Sequence, residues 1–201
     1  MLLAVHLADG AVTPALWATG WMATVALVAA CARRIPDDQV PRVGLVAAAL
    51  FVASQVHLRV GPASVHLLLN GLAGVLLGRT AVAAVAVALA LQLLLFGHGG
   101  LSTFGLNVTI YALPALAASH WKPRAALGGA TVGGLTAAAS VVLNAGCLLL
   151  GGSDGVDHRV VGLVVLCHLP VVAVEAAVTG FAVAAVRQAQ AGNTSGNGVS
   201  H

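Results

Sequence analysis

Residues 126–150 read ALGGATVGGLTAAASVVLNAGCLLL, 25 positions without a charged side chain. As a helix this run rises about 37 Å, enough to cross the roughly 30 Å hydrocarbon core of a bilayer. Lipid offers the backbone no hydrogen bonds, so such a run must satisfy its own N–H and C=O groups as a helix. The rest of the chain has the same character. Of its 201 residues 59% are hydrophobic and 7% charged, where a soluble domain carries about a quarter charged residues. Mean hydropathy is +0.98. Ala, Val, Leu and Gly dominate, and small residues let helix backbones approach closely in lipid. The expected class is an all-α, polytopic membrane domain. The sequence pI near 9.1 does not signal a nucleic-acid partner, because the nine basic residues are scattered and form no basic face.

A 20-residue hydropathy window outlines about seven transmembrane helices: 14–32, 43–56, 63–78, 81–96, 104–118, 126–150 and 160–186. Polar punctuation separates several of them, including RRIPDDQVPR at 33–42, SHWKPR at 119–124 and GGSDGVDHR at 151–159. Residues 1–188 make one transmembrane domain. The Gly/Ser/Asn-rich remainder, 189–201, reads as a disordered cytoplasmic tail. Cys31, Cys147 and Cys167 lie in apolar runs without CxxC spacing and suggest no disulfide framework.

Orientation follows from the basic residues. With the N-terminus outside, Arg33, Arg34, Arg42, Arg79, Lys122, Arg124 and Arg187 fall on the cytoplasmic side, and only Arg59 and Arg159 outside. The same arrangement puts His6, His57, His66, His98, His158 and His168 at or near outer span ends. Imidazole suits Zn, Cu, Fe and Ni, so this face could collect a divalent cation; ordinary interfacial histidines are the plainer alternative.

Four stretches carry a more specific signal: HLADG at 6–10, VGPASVHLLLNG at 60–71, LLLFGHGGLSTFGLN at 93–107 and CHLPVVAVEAAVTG at 167–180. In this order and spacing the chain resembles the CbiM/NikM family, the substrate-binding membrane components of energy-coupling-factor (ECF) cobalt and nickel transporters. The resemblance covers roughly residues 5–186. It implies a transport protein of a bacterial inner membrane that binds Co²⁺ or Ni²⁺ from outside as its substrate and needs no cofactor. Its partners are then a transmembrane coupling subunit, two cytoplasmic ATPase subunits and, in some members, a small accessory membrane subunit. The chain contains no G-x-x-x-x-G-K-[ST] run, so ATP hydrolysis belongs to the partners and the chain is not expected to be an enzyme.

In that family the metal is held by the free amine of the first residue, the amide and imidazole of a histidine at position two, and an imidazole from the S-x-H-L motif. Transferred to this chain, the imidazoles are His6 and His66. Four nitrogens in a plane favour Ni²⁺ or Cu²⁺ over the tetrahedral Zn²⁺. Here the first histidine is residue 6, behind Met1, Leu2, Leu3, Ala4 and Val5. A GTG codon, which encodes Val internally, is read as Met at initiation. With a start at Val5 the chain would begin M-H-L-A-D-G and match the family, and Val5 would supply the amine. Residues 1–4 would then precede the true start.

Further residues have two readings each. His57 could be an accessory ligand or an interfacial residue, and His98, in the GHGG loop, a transient ligand. Ser64 could orient the site or cap the third helix. Asn70, one helical turn after His66, could bond near the metal, and it or Asn107 could be packing glue. Asp9 could attract cations or cap the first helix. Glu175, the one acid inside a span, sits two turns beyond His168 and could relay protons or pair within the bundle. The functional reading is capture of cobalt or nickel for an ATP-driven importer, with cobalt for cobalamin biosynthesis favoured. The alternative is a stand-alone proton-coupled divalent metal permease.

Overall fold

The computed structural model describes residues 3–4, 6–60, 63–152 and 157–196. In order, the chain forms β1 (Leu3–Ala4), α1 (Pro14–Cys31), α2 (Val40–Ser54), β2 (His57–Val60), β3 (Ala63–His66), α3 (Asn70–Leu77), α4 (Ala81–Phe96), α5 (Phe104–Ala118), α6 (Ala126–Gly151) and α7 (His158–Gly196). Proline sets several boundaries. Pro14 opens α1 and Pro41 lies in the first turn of α2, where its missing N–H costs nothing.

Four helical segments are long and apolar enough to cross a membrane: Pro14–Cys31, Asn70–Phe96, Ala126–Gly151 and Val161–Gln190. Val40–Ser54 and Phe104–Ala118 are shorter apolar helices. The chain is therefore a mostly helical, multi-pass membrane protein.

The expected third helix, 63–78, differs from what forms. Ala63–His66 is a strand, antiparallel to His57–Val60 and parallel to Leu3–Ala4. Only Asn70–Leu77 is helical, about 12 Å of rise and too short to span a bilayer alone. The physical reason is that hydropathy registers apolar content and cannot distinguish a short strand from a helix. A 3₁₀ turn at Gly78–Thr80 joins α3 to α4, and Gly78 takes a φ of +64° that interrupts the helix. At the C-terminus α7 continues to Gly196, its Gln188-Ala189-Gln190-Ala191 run being made of good helix formers; the rest of the expected tail, 197–201, lies outside the described residues.

Hydrogen bonds tie the segment ends into two opposite layers. At one end Thr13 N–H donates to the Gly151 carbonyl (2.7 Å), joining the start of α1 to the end of α6. Trp21 Nε1–H donates to Ser102 O (2.9 Å), and the histidine-bearing segments lie here. At the other end Arg79 Nε–H and Nη2–H donate to the carbonyls of Cys31 and Ala30 (3.3 and 3.4 Å). Arg187 there reaches Pro123 O at 3.3 Å. The bundle thus has a histidine end and an arginine end.

Glycine sets how closely the helices approach. A Cβ on Gly20 of α1 would lie 2.5 Å from Leu106 Cα of α5, and one on Gly105 would lie 2.6 Å from Trp21 Cα. A Cβ on Gly74 of α3 would collide with the Ala115 carbonyl of α5. Gly74→Ala is therefore expected to destabilise the protein by about 2–3 kcal/mol through overpacking, seen as a lower thermal midpoint in detergent. Gly146→Ala, where a Cβ meets nothing within 4 Å, should hold or raise the midpoint.

Candidate metal-binding site

His6 is positioned by a strap that runs ahead of α1. Leu7 N–H donates to Asn107 Oδ1 (3.0 Å), and the Leu7 carbonyl accepts from Asn107 Nδ2 (2.9 Å) and the Thr103 hydroxyl (2.6 Å). Asp9 fastens the next turn. Its carboxylate accepts from Leu101 N–H (3.1 Å), Ser102 N–H (2.8 Å) and the Ser102 hydroxyl (2.5 Å). The Ser102 hydroxyl, foremost, holds the Asp9 carboxyl below its ordinary range. Asp9 is thus a tie between the strap and the loop before α5, and Thr13 takes the N-cap position of α1. Asn107 is the strap's anchor on α5.

His66 comes from β3, where the hairpin register places it directly opposite His57. Directly opposed residues point to the same face of a sheet, so the two rings meet. Beyond His66 the chain turns sharply, with Leu69 at φ +50°. The turn is held from α7: the Glu175 carboxylate accepts from Leu68 N–H, and its two oxygens share Leu69 N–H at 2.8 and 2.9 Å. Glu175 and the Leu69 amide are out of water, so this contact is costly to lose. His98 comes from the loop after α4, where Gly97 and Gly99 take φ of +65° and +86°.

These segments bring four imidazoles together. Ring centroids are 5.0 Å apart for His6 and His66, 5.5 Å for His57 and His66, and 5.2 Å for His57 and His98. Imidazole nitrogens bind metals at about 2.0–2.1 Å, which puts centroids about 3.2 Å from the ion and about 4.5–5.2 Å apart for neighbouring ligands. The His6–His66 separation falls in that range. His6 and His66 are buried, with 4% and 3% of their surface exposed, while His57 is exposed and His98 half-buried.

The hydrogen bonds fix the tautomers. His66 Nδ1 lies 3.0 Å from the Leu67 carbonyl and must donate to it, leaving Nε2 with a lone pair. His6 Nε2 lies 2.8 Å from Gln92 Oε1 and 3.2 Å from His66 Nε2, both acceptors, so it carries the proton. His6 Nδ1 then holds a lone pair, and it is buried without a partner. A second group fixing the tautomer of an imidazole is the usual arrangement around a ligating histidine. Tyr111 packs edge-on against His6, its ring centroid 5.2 Å away.

Burial is the main reason both rings stay neutral. It holds His6 well below its ordinary value, with the neighbouring His66 adding to the effect, and pushes His66 down to about 4. Burial, then His57, lowers His98 as well. Acid should therefore destabilise the metal-free protein. Between about pH 6.5 and about pH 4 the unfolded state binds protons that folded His66 refuses, so stability falls as pH falls through this window. For His66 alone the loss is on the order of 3 kcal/mol by pH 4. Thermal melting of the metal-free protein at several pH values checks this; a midpoint constant across the window contradicts it.

The other sequence expectations sort as follows. His57 and His98 join His6 and His66. Asn70 shares no helical face with His66, which lies in a strand. Asn70 Nδ2 instead donates to the Tyr111 carbonyl (3.0 Å) and Ser140 Oγ (2.9 Å), bridging α3, α5 and α6. Ser64 sits within β3, so it caps no helix, and its side chain lies outside the described residues, as does Val5. His168 lies in α7, its Nδ1 donating to Val164 O (2.6 Å). Among the described residues no three His, Cys, Asp or Glu side chains converge on one ion position. Sequence reading missed Gln92, the sole amide in the otherwise apolar α4; a polar side chain in such a helix is itself a signal.

The comparisons with known proteins agree with this architecture. Residues 6–192 match the family model "CbiM: Cobalt uptake substrate-specific transmembrane region". A putative metal transport protein of Haemophilus influenzae is 36% identical over 181 residues, covering 83% of this chain and 85% of that protein. The fused nickel transport protein NikMN of Rhodobacter capsulatus is 36% identical over 170 residues, covering 76% of this chain and 47% of NikMN. A crystal structure of a transition metal transporter superposes with a TM-score of 0.77 at 22% identity, over 92% of this chain and 93% of that one. With a family model matched along nearly its whole length and the fold of a metal transporter, the chain belongs to the CbiM family of transmembrane components of cobalt and nickel transport.

Proposed function

We propose that the chain is the substrate-capture component of an ATP-driven ECF-type importer, and that it takes one Co²⁺ or Ni²⁺ ion between His6 and His66. The observation that carries this reading is the pair of buried, neutral imidazoles whose lone pairs are His6 Nδ1, without a partner, and His66 Nε2. In the unliganded arrangement His6 Nε2–H bonds to His66 Nε2; the ion replaces that bond. Rotation about χ2 of His6, a broad torsion, turns Nδ1 towards His66.

His6 Nδ1 is also the ring nitrogen that can close a six-membered chelate with its own backbone amide nitrogen. That supports a set made of Val5 amine, if Val5 is the start, His6 amide, His6 Nδ1 and His66 Nε2. Such a square of nitrogens suits Ni²⁺, while the likeness of the SVHLLLNG stretch to the cobalt branch favours Co²⁺ and cobalamin biosynthesis as the role. On this reading the chain passes between the two faces of the bundle seven times, with α3 as a short pass that does not span the lipid by itself. The histidine end faces outwards and the arginine end faces the cytoplasm, in line with the excess of basic residues there. The coupling subunit and two ATPases supply energy from that side.

Uptake of radioactive nickel or cobalt by cells tests the coupling. Accumulation should require this chain together with the coupling subunit and an active ATPase. Equal accumulation by the chain alone would instead make it a stand-alone permease.

A further inference from the structure

We propose that His57 and His98 form an outer landing position for the divalent cation, from which it is handed to the inner pair; this rests on the reading of His6 and His66 given above. The inner pair is buried, so an ion arriving from water would have to shed its hydration shell in one step if no ligand met it on the way. Stripping a cation without replacing its ligands is expensive. The structure supplies replacements in sequence.

His57 stands exposed at the start of β2, and its ring centroid is 5.2 Å from that of half-buried His98. That is the separation expected for two imidazoles on neighbouring positions of one ion. Both present suitable nitrogens. His57 Nδ1 donates to the Gln55 carbonyl (2.9 Å), which leaves its Nε2 lone pair for metal. His98 Nδ1 is enclosed and has no hydrogen-bond partner. His57 is 5.5 Å from His66, and His66 is 5.0 Å from His6. His98 and His66 are nearly parallel, with centroids 6.4 Å apart. Exposed ring, half-buried ring, buried ring and buried ring thus form a continuous ladder in which His66 touches both positions. The 5.5 Å step from His57 to His66 is slightly wider than the spacing of neighbouring ligands, so a small ring movement lets an ion exchange one imidazole for the next without returning to water.

Two ligands make a weaker site than a full set, so the outer position should hold metal loosely and act on the rate. The test uses the full chain in lipid nanodiscs with Ni²⁺ as the probe. Equilibrium dialysis counts bound ions, and stopped-flow competition with a chelating dye gives the association rate. The unmodified chain should show one tight and one weak event. The double variant His57→Ala/His98→Ala should lose the weak event, with association about tenfold slower. His57→Ala alone, at an exposed ring, should slow association with the tight event still saturating at one ion. A double variant that binds as many ions, as fast, as the unmodified chain overturns the proposal. The inner pair is tested apart from this: in His6→Ala/His66→Ala the tight event should vanish and the weak one remain. Retention of the tight event there would sink the inner reading, which the counts and rates of the His57 and His98 variants do not address.

Discussion

His66→Ala lowers the affinity for Ni²⁺ and Co²⁺ by at least about 100-fold, a loss near 2.7 kcal/mol. The size of the effect follows from how few side chains the site offers. Among the described residues no third His, Cys, Asp or Glu converges with His6 and His66 on one ion position; His57 and His98, 5.5 and 6.4 Å from His66, belong to the looser outer position, so the loss of His66 leaves His6 without its close partner. His66 is also the better prepared of the two, because the Leu67 carbonyl fixes its tautomer and burial keeps it neutral. Nothing has to be deprotonated before it binds. Equilibrium metal titration of the purified chain checks this. His120→Ala is the matching control. Its ring lies past the end of α5, exposed, with Nδ1 3.1 Å from the Leu116 carbonyl, among the basic residues of the opposite end. It should titrate as the unmodified chain does; an equal loss in both variants would contradict the assignment.

Glu175→Ala should be the most damaging single change to the fold near the site. It leaves the Leu68 and Leu69 N–H groups without their acceptor inside the bundle, at about 1–3 kcal/mol for each orphaned donor. It also releases a turn that Leu69 holds at φ +50°, and His66 lies only two residues before the first of these amides. Glu175→Gln separates positioning from bulk stability, since the amide oxygen can still accept from one N–H. The expected outcome is a protein that folds, melts a few degrees lower and binds nickel about tenfold more weakly, as for groups that orient ligands from behind. A Glu175→Gln protein that melts lower yet binds nickel at full strength would make the residue structural only.

Much of this arrangement was legible in the sequence. Charge-free runs marked the helices of α1, α2, α4, α5 and α6 to within a few residues, because a bilayer leaves an apolar segment no cheaper conformation. The motif set pointed to His6 and His66, and the structure places their ring nitrogens 3.2 Å apart although 60 residues separate them in the chain. The misreadings around His66 share one cause. Hydropathy carries no direction, so Ala63–His66 looked like the start of a helix, and from that error followed the placing of Asn70 on one helical face with His66 and of Ser64 at a helix N-cap. The strand also explains what the sequence left open about His57: the antiparallel register, invisible in composition, sets it opposite His66. Glu175 was recognisable as an expensive acid in an apolar helix, but its partners are backbone amides 106 and 107 positions away, which no residue identity announces.

The central claim is that one ion is shared by His6 and His66, and locating that ion tests it most directly. Crystals of the nickel-loaded chain, with anomalous scattering recorded at the nickel edge, should give a peak about 2 Å from one nitrogen of each ring. A single peak elsewhere, on His168, on His158 or on the C-terminal His201, with His6 and His66 still hydrogen-bonded to each other, would contradict it.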